Sequence, residues 1–147
     1  MAETVKLSLT GIQRDEAGGE NITRICAAAE YYEKNGSVYL LYEEMQQELG
    51  AAVKNTLKLK GSVLELTRRG AVNTHMIFEA GREHPSDYFT PYGRLQIGVR
   101  THALEVSSLH GLTVIRAEYS LTANGLPFSD CTLEITLERR IPARVHP

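Results

Sequence analysis

Arg68 is the residue whose setting packing alone explains least well. It follows Leu64 and Leu66 at two-residue spacing, so in an extended strand its guanidinium lies on the leucines' side. A guanidinium taken out of water alone costs several kcal/mol, so a carboxylate or an anionic ligand must meet it. Glu43 is one such partner, within Tyr42-Glu43-Glu44. A carboxylate beside a phenol at a barrel mouth would orient a polar head group; the competing reading is a solvated strand end with Tyr42 in the core. A register slip at Arg68-Arg69-Gly70 would instead leave Arg68 in solvent. Arg116 and Glu118 pose the same question, sharing a face with Leu112 and Val114 while Ile115, Ala117 and Tyr119 lie opposite. A salt bridge between neighbouring strands is the simpler explanation there. Thr90-Pro91-Tyr92-Gly93 has the chemistry of a tight loop. Its functional alternative is an aromatic rim of Tyr88, Phe89 and Tyr92 around a cavity or subunit contact.

Other chemistries leave no pattern. The histidines at 75, 84, 102, 110 and 146 form no His-x-x-x-His pair, and no Cys-x-x-Cys is present, so no metal site is expected. Ser107, Ser108 and His110 lack the strand-turn-helix elbow that exposes a nucleophilic serine, and no catalytic residue is assigned. Gly18-Gly19 precedes a strand rather than a helix N-terminus, so neither a phosphate loop nor a dinucleotide cofactor is expected. The net charge of −2, from 16 basic and 18 acidic residues spread along the chain, argues against nucleic acid. Met-Ala-Glu-Thr-Val-Lys is no secretion signal, and no run approaches the roughly 18 apolar residues of a membrane span. A cytoplasmic location without a membrane partner is the expectation. Cys26 and Cys131 fall in strand-like runs, where buried free thiols are expected.

Strands must position all of these residues. Val5, Leu7 and Leu9 alternate with Lys6, Ser8 and Thr10, and the same period of two recurs in Val53–Lys60, Val63–Arg69 and Leu133–Glu138. Asn35-Gly36 and Asn124-Gly125 are hairpin signals, because both residues tolerate the positive φ of a type I′ turn. In the long run after Gly93, the apolar positions shift from Leu95, Ile97 and Val99 to Leu104 and Val106, which predicts a bulge near Thr101-His102-Ala103. The stretch 45–50 is read as a loop or a single helical turn. Nine or ten short strands joined by turns predict one all-β domain over 1–147, with 139–147 as a frayed tail. An antiparallel up-and-down meander of about 8–10 strands hides its two edges best by closing into a barrel, and a sandwich is the alternative.

Val38-Tyr39-Leu40-Leu41-Tyr42-Glu43-Glu44, Leu66-Thr67-Arg68-Arg69-Gly70, Thr90-Pro91-Tyr92-Gly93, and Tyr119-Ser120-Leu121 with Asn124-Gly125 resemble, in order and spacing, the YwiB-like family of small bacterial proteins. The resemblance runs over nearly the whole chain and implies a calycin-like β-barrel, similar in architecture to lipocalins. It implies no activity and no catalytic residues. Two function readings remain. In one, a cavity lined by Leu40, Tyr42, Leu64, Leu66 and Phe78 takes a small, partly apolar, anionic molecule at Arg68, with Tyr42, Glu43, Tyr92 and Arg116 as further ligand-binding candidates. In the other, the interior is packed and a monomer or homodimer acts through an outer face.

Overall fold

The computed structural model describes residues 3–46, 50–70, 73–90 and 93–139. They form ten antiparallel strands: β1 (Glu3–Asp15), β2 (Glu20–Lys34), β3 (Ser37–Gln46), β4 (Ala51–Lys60), β5 (Val63–Gly70), β6 (Asn73–Glu79), β7 (Glu83–Thr90), β8 (Gly93–Leu109), β9 (Leu112–Ala123) and β10 (Leu126–Arg139). Each strand neighbours the next, and β10 returns to β1, so the meander closes into the expected barrel. The hairpin turns carry positive φ at both central residues, 52° and 78° at Asn35-Gly36 and 53° and 79° at Asn124-Gly125, as a type I′ turn demands.

Alternation sets the core. Leu7 and Leu9 face Leu137 and Ile135 across the β1–β10 ladder, and Ile135 faces Ile115 on β9. All are buried with Leu40, Leu57, Leu64, Leu66 and Phe78 in one cluster, each contributing about 1.5–3 kcal/mol by leaving water. Phe78 meets the ring of Tyr119 edge-on with centroids 4.8 Å apart. The bulge predicted in β8 lies between Thr101 and Ala103. It keeps Leu104 and Val106 opposite inward-facing Ala117 and Ile115, after Val99 and Thr101 have met Leu121 and Tyr119.

Two ladders are short. β2 pairs with β3 only from Glu30–Lys34 to Ser37–Leu41, so Tyr42–Gln46 pair with β4 alone. Among the described residues, β6 and β7 pair only at Asn73–Phe89 and Thr74–Tyr88. Pro85 in β7 has no N–H to donate. Beside it, the Ser86 hydroxyl donates to the His75 carbonyl at 2.7 Å, a side-chain bond standing in for the ladder. The β6–β7 turn is tied to β8 instead, through Gly81 N–H to the Thr101 carbonyl at 2.9 Å and Thr101 N–H to the Arg82 carbonyl at 3.1 Å.

Three local expectations change. Cys26 is exposed because it sits on the outer face of β2, while Cys131 is buried; both are free thiols. Met45 belongs to β3 rather than to a turn, since it pairs with Ala52. Arg139 is no tail residue: it ends β10 opposite Val5 and donates to Glu3. Residues 140–147 lie outside the described residues. No helix among the described residues is long and apolar enough to cross a membrane.

Candidate ligand-binding site

One inward row of the barrel is polar. Tyr42 on β3 faces Asn55 on β4, Asn55 faces Arg68 on β5, and Arg68 faces Thr74 on β6. The period of two places all four on the core side, in line with Leu40, Leu57, Leu66 and Met76 one step along their strands. Glu44, two residues beyond Tyr42, reaches the same side. Its Oε1 accepts from Arg68 Nη2 at 2.8 Å and from Asn55 Nδ2 at 3.2 Å, and Arg68 Nε donates to Asn55 Oδ1 at 3.2 Å. The side chains of Arg68 and Glu44 are only 20% and 15% exposed, so neither charge could sit there unpaired at low cost.

Burial, reinforced by the Glu44 carboxylate and partly offset by Arg68, pushes the Tyr42 phenol up to about 12. Its ring is therefore neutral at physiological pH. Thr74 is 4% exposed and its hydroxyl has no hydrogen-bond partner. Such an orphan in a native interior calls for a water, a ligand or strain.

The row runs between the two short ladders. At the β2–β3 end lies an open groove of about 1020 Å³, where Ala27, Ala28, Ala29, Tyr42, Asn55 and Arg69 are among the lining residues. At the β6–β7 end lies a recess of about 590 Å³ that reaches Arg68, Arg69, Thr74, His75, Pro85 and Ser86. Ala27–Ala29 line the first opening and Pro85 lines the second.

The structure brings together two of the sequence candidates, Tyr42 and Arg68. Glu43 stands on the exposed outer face opposite Lys54, and its neighbour Glu44 is the partner of Arg68. The alternation Leu40, Tyr42, Glu44 carries that signal in the sequence. Arg116 and Glu118 are also outward: Arg116 lies 3.6 Å from Glu118 and 3.3 Å from Glu134, the mutual bridge that the sequence favoured. Tyr92 lies outside the described residues. Leu40, Leu64, Leu66 and Phe78 belong to the packed core rather than to the lining of these two openings. Thr74 is the member that the sequence reading missed, although it shares the parity of Met76.

A second polar cluster sits at the β8 bulge. His102 Nε2 lies 2.7 Å from the Ser120 hydroxyl, which donates to Asp130 at 2.9 Å. The serine proton is thus committed to the carboxylate, and the histidine must donate to the serine. That order is the reverse of a histidine base activating a serine. Across strands the same row continues to Arg14 opposite Asp130 and Arg100 opposite Ser120. Arg14 pairs with Glu20 at 3.1 Å and Arg100 with Glu83 at 2.9 Å, an alternating charge belt that supports strand register. Among the described residues no group of three or more His, Cys, Asp or Glu is placed to hold a metal ion.

Comparison with known proteins fits this description. The crystal structure of the ywiB protein from Bacillus subtilis superposes with a TM-score of 0.82 over 95% of this chain and 94% of that chain, at 22% identity, a likeness that shows the shared barrel. No curated protein matches the chain. Residues 7–135 match the family described as a domain of unknown function, DUF1934. This match, over most of the chain, places it in the DUF1934 family, whose function is unknown.

Proposed function

We propose that the protein is a non-catalytic binding module whose barrel receives one small, partly apolar molecule at the polar row. The supporting observation is the buried Thr74 hydroxyl without a partner, next to Arg68 and beside an opening in the wall. A barrel selected only for stability would continue the leucine and isoleucine layers there, because a packed apolar core is at least as stable as a buried ion pair. The molecule meets polar groups at Arg68, Asn55 and Tyr42, and its apolar part lies against the alanines of β2 or the ring of Pro85.

Native mass spectrometry of the protein isolated from its own cells, followed by denaturing release, tests this reading. One adduct per chain, lost on denaturation and lost in Arg68→Leu, is the expected result. A bare chain mass in both proteins overturns it.

On its β3 side, β2 from Glu20 to Ala29 is unpaired among the described residues, which favours a second reading, an interaction module that adds a strand from a partner. Concentration-dependent mass in light scattering, abolished by Ala28→Pro, would be its mark. A constant monomer mass would set it aside.

A further inference from the structure

We propose that the β6–β7 recess is a carboxylate site, in which Arg68 Nη1 and the Thr74 hydroxyl each take one oxygen of a small organic acid. The inference rests on the binding reading above and adds the class of ligand and the opening it uses.

The donor inventory carries the argument. Arg68 Nε is committed to Asn55 and Nη2 to Glu44, which leaves Nη1 without an acceptor among the described residues. Thr74, the cross-strand neighbour of Arg68, holds the one polar side-chain atom of the row that is both buried and unpartnered among the described residues. Both residues line the same recess. Two adjacent donors suit the two oxygens of a planar carboxylate. A phosphate brings more acceptor oxygens than this pair of donors can satisfy, and a neutral amide would place its NH₂ against one of them.

Charge balance agrees. Arg68 is already neutralised by Glu44, so a further anion needs a further cation. Arg69 supplies it: exposed at the rim of the recess, it has no ion-pair partner among the described residues. Asp87, the other charged lining residue from β7, is held by Arg94 at 3.1 Å. Glu44, Arg68, Arg69 and a bound monocarboxylate then sum to zero, the condition under which a half-buried cluster of charges is tolerated. The surrounding lining, Pro85 and the aliphatic stems of the arginines, offers apolar contact to a short carbon chain.

The test is NMR titration of the labelled full chain with hexanoate, hexanamide and inorganic phosphate. Hexanoate is expected to shift the Arg68 side-chain Nε–Hε signal and the Thr74 methyl, with hexanamide and phosphate at least about tenfold weaker, the size of one lost charge-assisted hydrogen bond. Thr74→Val keeps the shape and removes the hydroxyl, and should weaken hexanoate by about tenfold on the same basis. Because Arg68→Gln takes the cation from Glu44, the paired variant Arg68→Gln with Glu44→Gln is the second control: it should stay folded and lose hexanoate binding. Equal binding of hexanamide, tighter binding of phosphate, shifts confined to Ala27–Ala29, or no response up to millimolar hexanoate would each overturn the carboxylate site. A neutral ligand released in native mass spectrometry would leave the binding reading standing and remove this one.

Discussion

The barrel has a sealed side and a split side. On the sealed side, β1 pairs with β10 from Val5 to Asp15 and with β2 from Glu3 to Arg14, and β10 pairs with β9 over nearly its whole length. The residues they turn inward are Val5, Leu7, Leu9, Ile115, Leu133 and Ile135, all buried. On the split side, β3–β6 form a sheet whose two borders, to β2 and to β7, are held among the described residues by short ladders, and its inward row near those borders is Tyr42, Asn55, Arg68 and Thr74. The inward ion pair of Arg68 and Glu44 lies between the interrupted ladders, whereas the buried polar residues of β9 and β10 are the small hydroxyls of Ser120, Thr122 and Ser129. A wall that opens to water can carry charged side chains inward without the full desolvation cost, which a sealed wall would exact.

Core truncation is the strongest way to break this comparison. Ile135→Ala, between Leu9 and Ile115, should destabilise by about 3–5 kcal/mol, because the sealed side cannot collapse into the cavity. Leu66→Ala, 8% exposed and one step from Arg68, should cost closer to about 2 kcal/mol. Urea denaturation followed by circular dichroism measures both, and equal losses would mean that the split side is packed as tightly as the sealed one.

The next effect concerns charge. Arg68→Leu takes the cation from the half-buried Glu44 carboxylate, with an expected cost of about 2–3 kcal/mol after allowing for its partial exposure. Arg116→Leu removes an exposed pair and should change stability by no more than about 0.5 kcal/mol. A loss at Arg116 matching that at Arg68 would contradict the inward and outward assignment.

That assignment shows what the sequence made legible. Arg68 inward follows from alternation alone, and the β8 bulge follows from one slip in it; on β9 alternation separates Arg116 from Ile115 and Ala117 without saying which face is inward, and the ladder that sets Ile115 against Ile135 decides it, turning the ligand candidate Arg116 outward. Glu44 follows from the same rule, whereas Glu43, the expected partner, has the opposite parity and stands outside, opposite Lys54. The two openings were not legible, since a ladder depends on the tertiary position of both strands. Pro85 and the run Cys26–Ala29 marked the right strands, but neither fixes how far a partner strand extends.

Tyr42 gives an alkaline signature of the split side. Its phenol stays protonated in the fold until about pH 12, whereas in the unfolded chain it titrates near 10. Below about pH 10 both states hold the proton and the contribution is intact. Between about pH 10 and 12 the unfolded chain releases it first, so stability falls with rising pH, by about 2 kcal/mol across the window. Tyr42→Phe should remove that part of the slope in denaturation series at pH 9, 10 and 11. An unchanged slope would mean that Tyr42 is solvated and that the β2–β3 groove reaches deeper than the row.

The smallest effect separates the two cysteines. Cys26 is exposed on β2 at the edge of the groove, with its sulfur 3.8 Å from the Ser8 hydroxyl. Cys131 lies on the sealed side, where burial first, outweighing the hydrogen bonds from Ser129 and Tyr119, pushes its thiol up and disfavours the reactive thiolate. Iodoacetamide on the folded protein should therefore label Cys26 quickly and leave Cys131 intact until denaturant is added. Cys26→Ser should alter stability by no more than about 0.5 kcal/mol. If Cys131 reacts as fast as Cys26 under native conditions, the β9–β10–β1 wall opens on the labelling timescale, and its intact ladder does not make it the rigid half of the molecule.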